Sequence, residues 1–141
     1  MGYRTLANKK DRFLKKHEEE NKDVNKTAFD LYPKFSFEFA VSHSRSFDQL
    51  SKDEKYACIQ KLVQLSKLTW SGVSGLPREQ GFEKIPKSSF KSLPNLPNKF
   101  KEFNQIDVFR LPGKKGRLIG FIENEVFYAV WIDTKFNMYN H

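Results

Sequence analysis

The sequence predicts an α+β domain in which helices pack on a small antiparallel sheet, with a three-stranded meander at the C-terminal end. Three short runs rich in β-branched and aromatic residues lie at 106–111, 117–122 and 126–132. Turn-forming segments at 112–116 and 123–125 join these runs, and connections this short allow only antiparallel neighbours. A strongly marked helix earlier in the chain supplies the α component.

Length and composition indicate one globular domain. The chain has 141 residues, of which 38% are hydrophobic and 30% charged; this is too apolar for a disordered chain and too charged for a membrane protein. We assign residues 28–141 to a single α+β domain and residues 1–27 to a charged N-terminal arm or helix. The first residues lack the apolar stretch of a secretory signal, and one cysteine excludes an internal disulfide, so a cytoplasmic location is expected.

The charge balance points to anionic partners. The formal net charge is +8, and an excess of this size attracts polyanions or an acidic protein. Apolar residues are sparse in the N-terminal arm, which predicts a solvated helix or a mobile arm there. Contact between its basic half and nucleic acid or a partner protein is the alternative.

Residues 35–43 alternate between apolar and polar side chains, and a period of two predicts a strand. Phe35, Phe37, Phe39 and Val41 are expected to share one face of this strand and to pack against helices. His43 continues the same face where the strand ends, so we expect it to be a partly buried structural histidine.

The helix is predicted to run from residue 52 to about residue 68. Ser51 and Glu54 have the spacing of a capping box, with Ser51 as the N-cap. Apolar spacing of three and four predicts the buried stripe: Tyr56, Ile59, Leu62, Val63, Leu65, Ser66 and Leu68. Cys58 is expected to be a small packing residue, and most lysines of the helix, Lys61 among them, are expected on its outer face.

Residues 69–104 resist prediction, because prolines at positions 77, 86, 94 and 97 forbid a long regular element. The pattern indicates a short strand within 78–85 and a turn of helix at 88–91 or 98–103. A loop of this length in a small domain is either an elaboration near a site or a sign of unrecognised elements, and both interpretations stay open.

The meander is expected to bring two basic segments to one end of the sheet. Its first strand runs toward the 112–116 turn, the second leaves that turn, and the third returns to it, so the C-terminal tail emerges beside the turn. Lys135, Tyr139 and His141 of the tail are therefore expected within reach of four cations: Arg110, Lys114, Lys115 and Arg117. Cations grouped with a phenol and an imidazole predict a phosphate-binding site.

The residues of this meander resemble the sheet core of RelE-like toxins, which belong to the RelE/ParE superfamily. The shared pattern is an arginine that opens one strand, here Arg117, and an aromatic-rich strand that closes on Ile132 and Asp133. The similarity covers about the last quarter of the chain. Elsewhere the order of elements agrees in type, so the resemblance implies a RelE-like fold.

The resemblance also implies a function. RelE-like proteins are typically small cytosolic toxins that a cognate antitoxin neutralises, and many cut messenger RNA on the ribosome. Arg117 matches the strand arginine that faces the scissile phosphate in such toxins, and Lys114 and Lys115 fall where they carry further basic residues. Tyr139 and His141 match, more loosely, the C-terminal residues that act as base or acid.

Cleavage of RNA here is expected to need neither a metal nor a cofactor. The reaction requires stabilisation of a phosphorane, and Arg117 suits this role because its planar donors match two phosphate oxygens. His141 or Tyr139 would transfer the proton, histidine more readily near neutral pH. On this interpretation, Arg117→Ala abolishes growth arrest by the toxin without unfolding the protein.

Two other functions stay open. One is a non-catalytic module on the same fold that binds RNA, the ribosome or a protein. The other is a phage-defence or regulatory protein whose basic arm binds DNA. The basic turn also suits a solvated hairpin end, since basic edge residues discourage strand aggregation. Asp133 is expected to pair with an arginine or lysine. The large aromatic residues are expected in the core rather than as platforms for bases: Trp70, Phe109, Phe121, Phe127 and Trp131.

Overall fold

The computed structural model describes residues 30–42, 45–77, 79–80 and 82–140. These ranges contain, in order, β1 (Lys34–Ser36), α1 (Lys52–Ser66), α2 (Trp70–Ser74), β2 (Phe82–Pro86), β3 (Gln105–Arg110), β4 (Arg117–Glu123) and β5 (Val126–Asp133). Turns of 3₁₀ helix lie at Phe47–Gln49, Lys87–Ser89, Asn98–Phe100 and Pro112–Lys114. The predicted arm of residues 1–27, His43 and His141 lie outside the described residues.

The five strands form one mixed sheet in the order β1-β5-β4-β3-β2. The pairs from β2 to β5 are antiparallel, so the predicted C-terminal meander of β3, β4 and β5 is confirmed, as is the α+β class. The prediction of an antiparallel sheet is wrong at one edge, where β1 pairs with β5 in parallel. A parallel neighbour needs a long connection, and the chain between β1 and β5 contains α1, α2 and the other three strands.

β1 is shorter than the strand predicted over residues 35–43. The chain leaves the sheet after Ser36, whose hydroxyl accepts a hydrogen bond from the backbone amide of Glu38 at 3.2 Å, a local bond that competes with strand pairing. The predicted common face is also wrong. Phe35 packs on the side of the sheet that carries α1, whereas Phe39 and Val41 pack on the opposite side.

The start of α1 agrees with the prediction in its bonding. The hydroxyl of Ser51 accepts a hydrogen bond from the Glu54 amide at 3.2 Å, and the Glu54 carboxylate accepts one from the Ser51 amide at 2.8 Å. Both bonds of the capping box are therefore formed. The helix ends at Ser66, two residues earlier than predicted.

The buried face of α1 differs from the predicted stripe. The buried residues are Ala57, Cys58, Lys61 and Leu65. Four members of the predicted stripe are exposed instead: Ser66, Tyr56 (64%), Ile59 (58%) and Val63 (49%). The sheet surface under the helix carries large rings, among them Phe109 and Phe127, so small side chains on the helix side allow close approach.

The sheet is covered on both faces. On one side α1 and α2 pack against β3, β4 and β5, through a cluster that includes Leu65, Trp70 and Phe109. On the other side the irregular chain between β2 and β3, together with the C-terminal tail, packs against Phe121 and Trp131. The segment that resisted prediction is therefore part of the fold: it supplies α2, β2 and this second layer. The five large aromatic residues expected in the core are all buried.

Candidate functional site

A row of charged side chains crosses the sheet at the end where β3 meets β4. Arg110, Arg117 and Asp133 are opposite one another on β3, β4 and β5. Glu83 on β2 extends the row on one side, with a carboxylate oxygen 3.1 Å from a terminal nitrogen of Arg110. Arg45 extends it on the other, 2.9 Å from the Asp133 carboxylate. The expectation that Asp133 pairs with an arginine or lysine is confirmed, and acids at both sides compensate the adjacent arginines.

Arg117, the predicted phosphate-facing residue, is 1% exposed. Its guanidinium carbon lies 4.5 Å from the ring centre of Tyr139 and 4.8 Å from that of Phe136, both distances within the range of cation–π contacts. Burial lowers the pKa of Arg117, and the neighbouring Tyr139 and Asp133 partly offset this effect. In this conformation the guanidinium is enclosed by protein.

Tyr139 lies beside Arg117, as the meander predicted, but it is 2% exposed. Its ring also packs on Phe90 at 4.9 Å between centres, and the two residues pair as a short antiparallel bridge. Burial raises the pKa of the Tyr139 phenol, while the charge of Arg117 acts in the opposite direction. The phenol is thus held in its neutral form near pH 7, as a buried group next to a cation.

The tail reaches Tyr139 through a tight turn that Asp133 organises. The Asp133 carboxylate accepts hydrogen bonds from the backbone amides of Lys135 at 3.2 Å and Met138 at 2.9 Å. Phe136, inside this turn, has a φ of +56°, a left-handed conformation that is costly for a bulky residue. The turn directs the Phe136 ring onto the Arg117 guanidinium.

A cavity of about 650 Å³ opens at this end of the sheet. Three cations from three different elements line it: Lys61 of α1, Arg110 of β3 and Lys114 of the β3–β4 turn. We refer to it as the cationic cavity. Glu79 also lines it, and so does Phe136, whose ring packs on the Arg117 guanidinium.

Lys61 is the residue of this site that sequence reasoning missed. It is 2% exposed, and its ammonium group donates hydrogen bonds to the backbone carbonyl of Gln80 and to the side-chain oxygen of Gln64, the latter at 3.3 Å. Burial lowers its pKa from 10.5 to about 8. A stripe of small residues, with Ala57 and Cys58 one turn before Lys61, was the sequence signal that could have revealed its inward position.

The predicted phosphate-binding residues divide among three places. Arg110 and Lys114 line the cationic cavity. Lys115 lines a smaller cavity of about 210 Å³ between the turn and the first half of α1. Lys135 lines a third, of about 330 Å³, together with Arg45. The predicted single cluster is therefore split, although the turn and the start of the tail lie close together: a Cβ on Gly116 would lie 3.2 Å from the Cα of Thr134.

No family model, curated protein or solved structure matches this chain. The similarity to RelE-like toxins depends on the residues of the meander and stays a prediction. None of the described helices is long and apolar enough to cross a membrane.

Proposed function

We propose that the protein binds RNA and that the cationic cavity holds an RNA phosphate. The observation that carries this proposal is the convergence of Lys61, Arg110 and Lys114 on one open cavity from three separate elements. Lysine and arginine supply most of the affinity for a phosphate backbone, and the net charge of +8 favours association with a polyanion. The ribosome, as an RNA particle, is a partner of the same chemistry.

RNA binding is favoured over RNA cleavage as the function for a physical reason. A catalytic arginine must aim its donors at the scissile phosphate, and Arg117 is enclosed between two rings. Arg110 and Lys114, by contrast, line a cavity that a ligand can enter. We therefore propose a non-catalytic RNA-binding module as the first function.

The test is the affinity for a single-stranded RNA, measured by fluorescence anisotropy between about 50 and 200 mM salt. Lys114→Asn removes one charge from the cavity, and asparagine tolerates the left-handed φ of +54° at this position. We expect weaker binding. The slope of the logarithm of the binding constant against the logarithm of the salt concentration should also fall by about one unit or less, because one phosphate contact is lost.

Lys101→Asn is the matched control, because Lys101 is exposed and does not line the cavity. It removes the same charge by the same substitution, so it isolates the position from the net charge. Equal losses in the two variants, or no measurable RNA binding by the wild type, would contradict the proposal.

A RelE-like toxin with endoribonuclease activity is the second candidate. The observation that favours it is the contact of 4.5 Å between the Arg117 guanidinium and the Tyr139 ring, because phosphate stabilisation and proton transfer need these groups side by side. Arg117 is 1% exposed, so this candidate requires side chains that enclose the guanidinium to move before substrate binds. His141, predicted as acid or base, and a cognate antitoxin remain part of this candidate by resemblance.

Inducible expression of wild type and Tyr139→Phe, with mapping of transcript ends, tests this candidate. Phenylalanine keeps the ring that packs on Arg117 and Phe90 and removes the hydroxyl, so the fold is expected to survive. A nuclease would arrest growth and leave new transcript ends that Tyr139→Phe reduces. Intact transcripts under wild-type expression would contradict cleavage and leave the binding proposal standing.

A further inference from the structure

We infer that the cationic cavity receives the terminal phosphate of an RNA chain rather than an internal phosphodiester. This inference rests on the proposed RNA binding and specifies the group that is bound. The argument comes from the different depths of the three cations: Lys61 is buried, Arg110 is partly exposed and Lys114 is exposed.

The deepest cation selects for a group that can enter the cavity. Lys61 is 2% exposed, so its ammonium lies below the protein surface. An internal phosphate carries a nucleotide on each side, and both would have to follow it into the cavity. A terminal phosphate is attached to the chain on one side and presents three free oxygens, so it can reach Lys61 while the rest of the RNA stays outside.

The size of the cavity and its donors fit such an end group. At about 650 Å³ the cavity lies within the range of small-molecule sites, which is enough for a phosphate and part of its sugar. An ammonium has three donors, and Gln80 and Gln64 accept two of those of Lys61, which leaves one for a ligand. Arg110 donates one terminal N–H to Glu83 and has further donors in its planar fork.

The charges around the cavity favour a terminal phosphate over a diester. Lys61, Arg110 and Lys114 oppose two carboxylates, of which Glu79 is exposed and Glu83 is paired with Arg110. An internal diester carries one negative charge, whereas a phosphomonoester carries about −1.5 to −2 near pH 7. The larger charge gains more from a partly desolvated ammonium, because Coulomb energies grow as the dielectric constant falls.

The pH dependence of binding gives a readout that a purely structural lysine would not affect. The second ionisation of a phosphomonoester has a pKa of about 6, and burial lowers the pKa of Lys61 to about 8. Binding should therefore be strongest between these values. Among the described residues, the other charged groups that line the cavity or pair with its residues are Arg110, Lys114, Glu79 and Glu83.

The experiment compares three short RNAs of one sequence, bearing a 5′-phosphate, a 3′-phosphate or hydroxyls at both ends. Anisotropy titrations use the full chain as wild type, Lys61→Met and the surface control Lys101→Asn. We expect one phosphorylated form to bind about tenfold more tightly than the hydroxyl form. Lys61→Met should remove this preference and the fall in affinity above pH 8, and Lys101→Asn should retain both. The phosphorylated RNA that binds more tightly than the hydroxyl form identifies the end of the chain that the cavity binds.

Failure of this inference is distinguishable from failure of the proposed function. Equal binding of all three RNAs, unchanged by Lys61→Met, would overturn terminal recognition while RNA binding stands. Absence of binding by every RNA would overturn both. If Lys61→Met does not fold, Lys114→Asn at the exposed rim takes its place, and the inference then requires it to reduce the preference for the phosphorylated end.

Discussion

Arg117 carries its positive charge where almost no water reaches it. The rings of Phe136 and Tyr139 lie on it, and Asp133 is its neighbour in the strand pairing. Cation–π contacts contribute more when the cation is desolvated, up to about 2 kcal/mol. Arg117 therefore acts as part of the core, whatever further role it has.

The first prediction follows from this packing. Arg117→Ala would leave a void between two rings and remove one of the two cations near Asp133, so the free energy of unfolding should fall by about 3 to 5 kcal/mol. Urea denaturation, with Lys101→Asn as the unaffected reference, measures the change. A loss below about 0.5 kcal/mol would show that the stack contributes little. Loss of function in Arg117→Ala is consequently no proof of catalysis until its folding is checked.

The second prediction concerns Lys61 and pH. Its pKa is about 8 in the folded protein against 10.5 for a free lysine side chain, so between these values the unfolded chain holds a proton that the folded one has released. Stability contributed by Lys61 therefore rises with pH through this window, by an amount on the order of 3 kcal/mol in total.

The stability contributed by Cys58 changes with pH in the opposite direction. Burial raises the pKa of its thiol from 9.0 to about 11, so its contribution to the stability of the folded state falls as pH rises through that range. The measurement is therefore the difference in unfolding free energy between wild type and Lys61→Met at several pH values. This difference should shift in favour of the wild type from pH 8 to 10.5. A flat difference would mean that Lys61 titrates normally.

At the scale of the elements, local chemistry determined where α1 begins, and long-range packing determined which of its faces is buried. The capping box of Ser51 and Glu54 fixes where α1 begins, because both bonds are formed within four residues of the chain. The side of α1 that is buried depends on the sheet beneath it. Ala57 and Cys58 meet that sheet and leave Tyr56 and Ile59 exposed.

The third prediction belongs to the pairing of β4 with β5. The register shifts between Ile119 and Gly120, and a Cβ on Gly120 would overlap the backbone carbonyl of Tyr128 on the neighbouring strand. Gly120→Ala should therefore destabilise the protein by about 3 kcal/mol or more, since backbone must move to admit the methyl group.

Gly72→Ala is the matched control. Its Cβ would meet Leu68 at 3.4 Å, an ordinary contact, and alanine favours the helix by up to about 1 kcal/mol. Thermal unfolding of the two variants gives the comparison. Similar melting temperatures for both would contradict the close approach at Gly120.

At the scale of the whole molecule, the sheet separates two apolar clusters and also joins them. Trp70 belongs to the helical side and donates its indole N–H to the carbonyl of Glu125 at 3.1 Å. Trp131 belongs to the opposite side and donates to the carbonyl of Pro94 at 2.7 Å. Because β3, β4 and β5 contribute buried residues to both clusters, the loss of either layer exposes apolar side chains of the same three strands.

The fourth prediction is cooperative unfolding of both layers. The chain has two tryptophans, so Trp70→Phe and Trp131→Phe each leave one reporter, on opposite sides of the sheet. Within each variant, the midpoint in urea followed by tryptophan fluorescence should coincide with that followed by far-ultraviolet circular dichroism. Separate midpoints would indicate that one layer unfolds before the sheet does.

The sequence by itself determined the α+β class, the capped start of α1, the three strands of the meander and the return of the tail beside Arg117. These follow from turn chemistry, capping and strand propensity, which act over a few residues. Only the tertiary structure decided that β1 is parallel to β5, that Lys61 points inward and that Phe136 covers Arg117. A periodic pattern specifies that a helix has faces, but which face is buried depends on the shape of a distant surface, and no local pattern contains that shape.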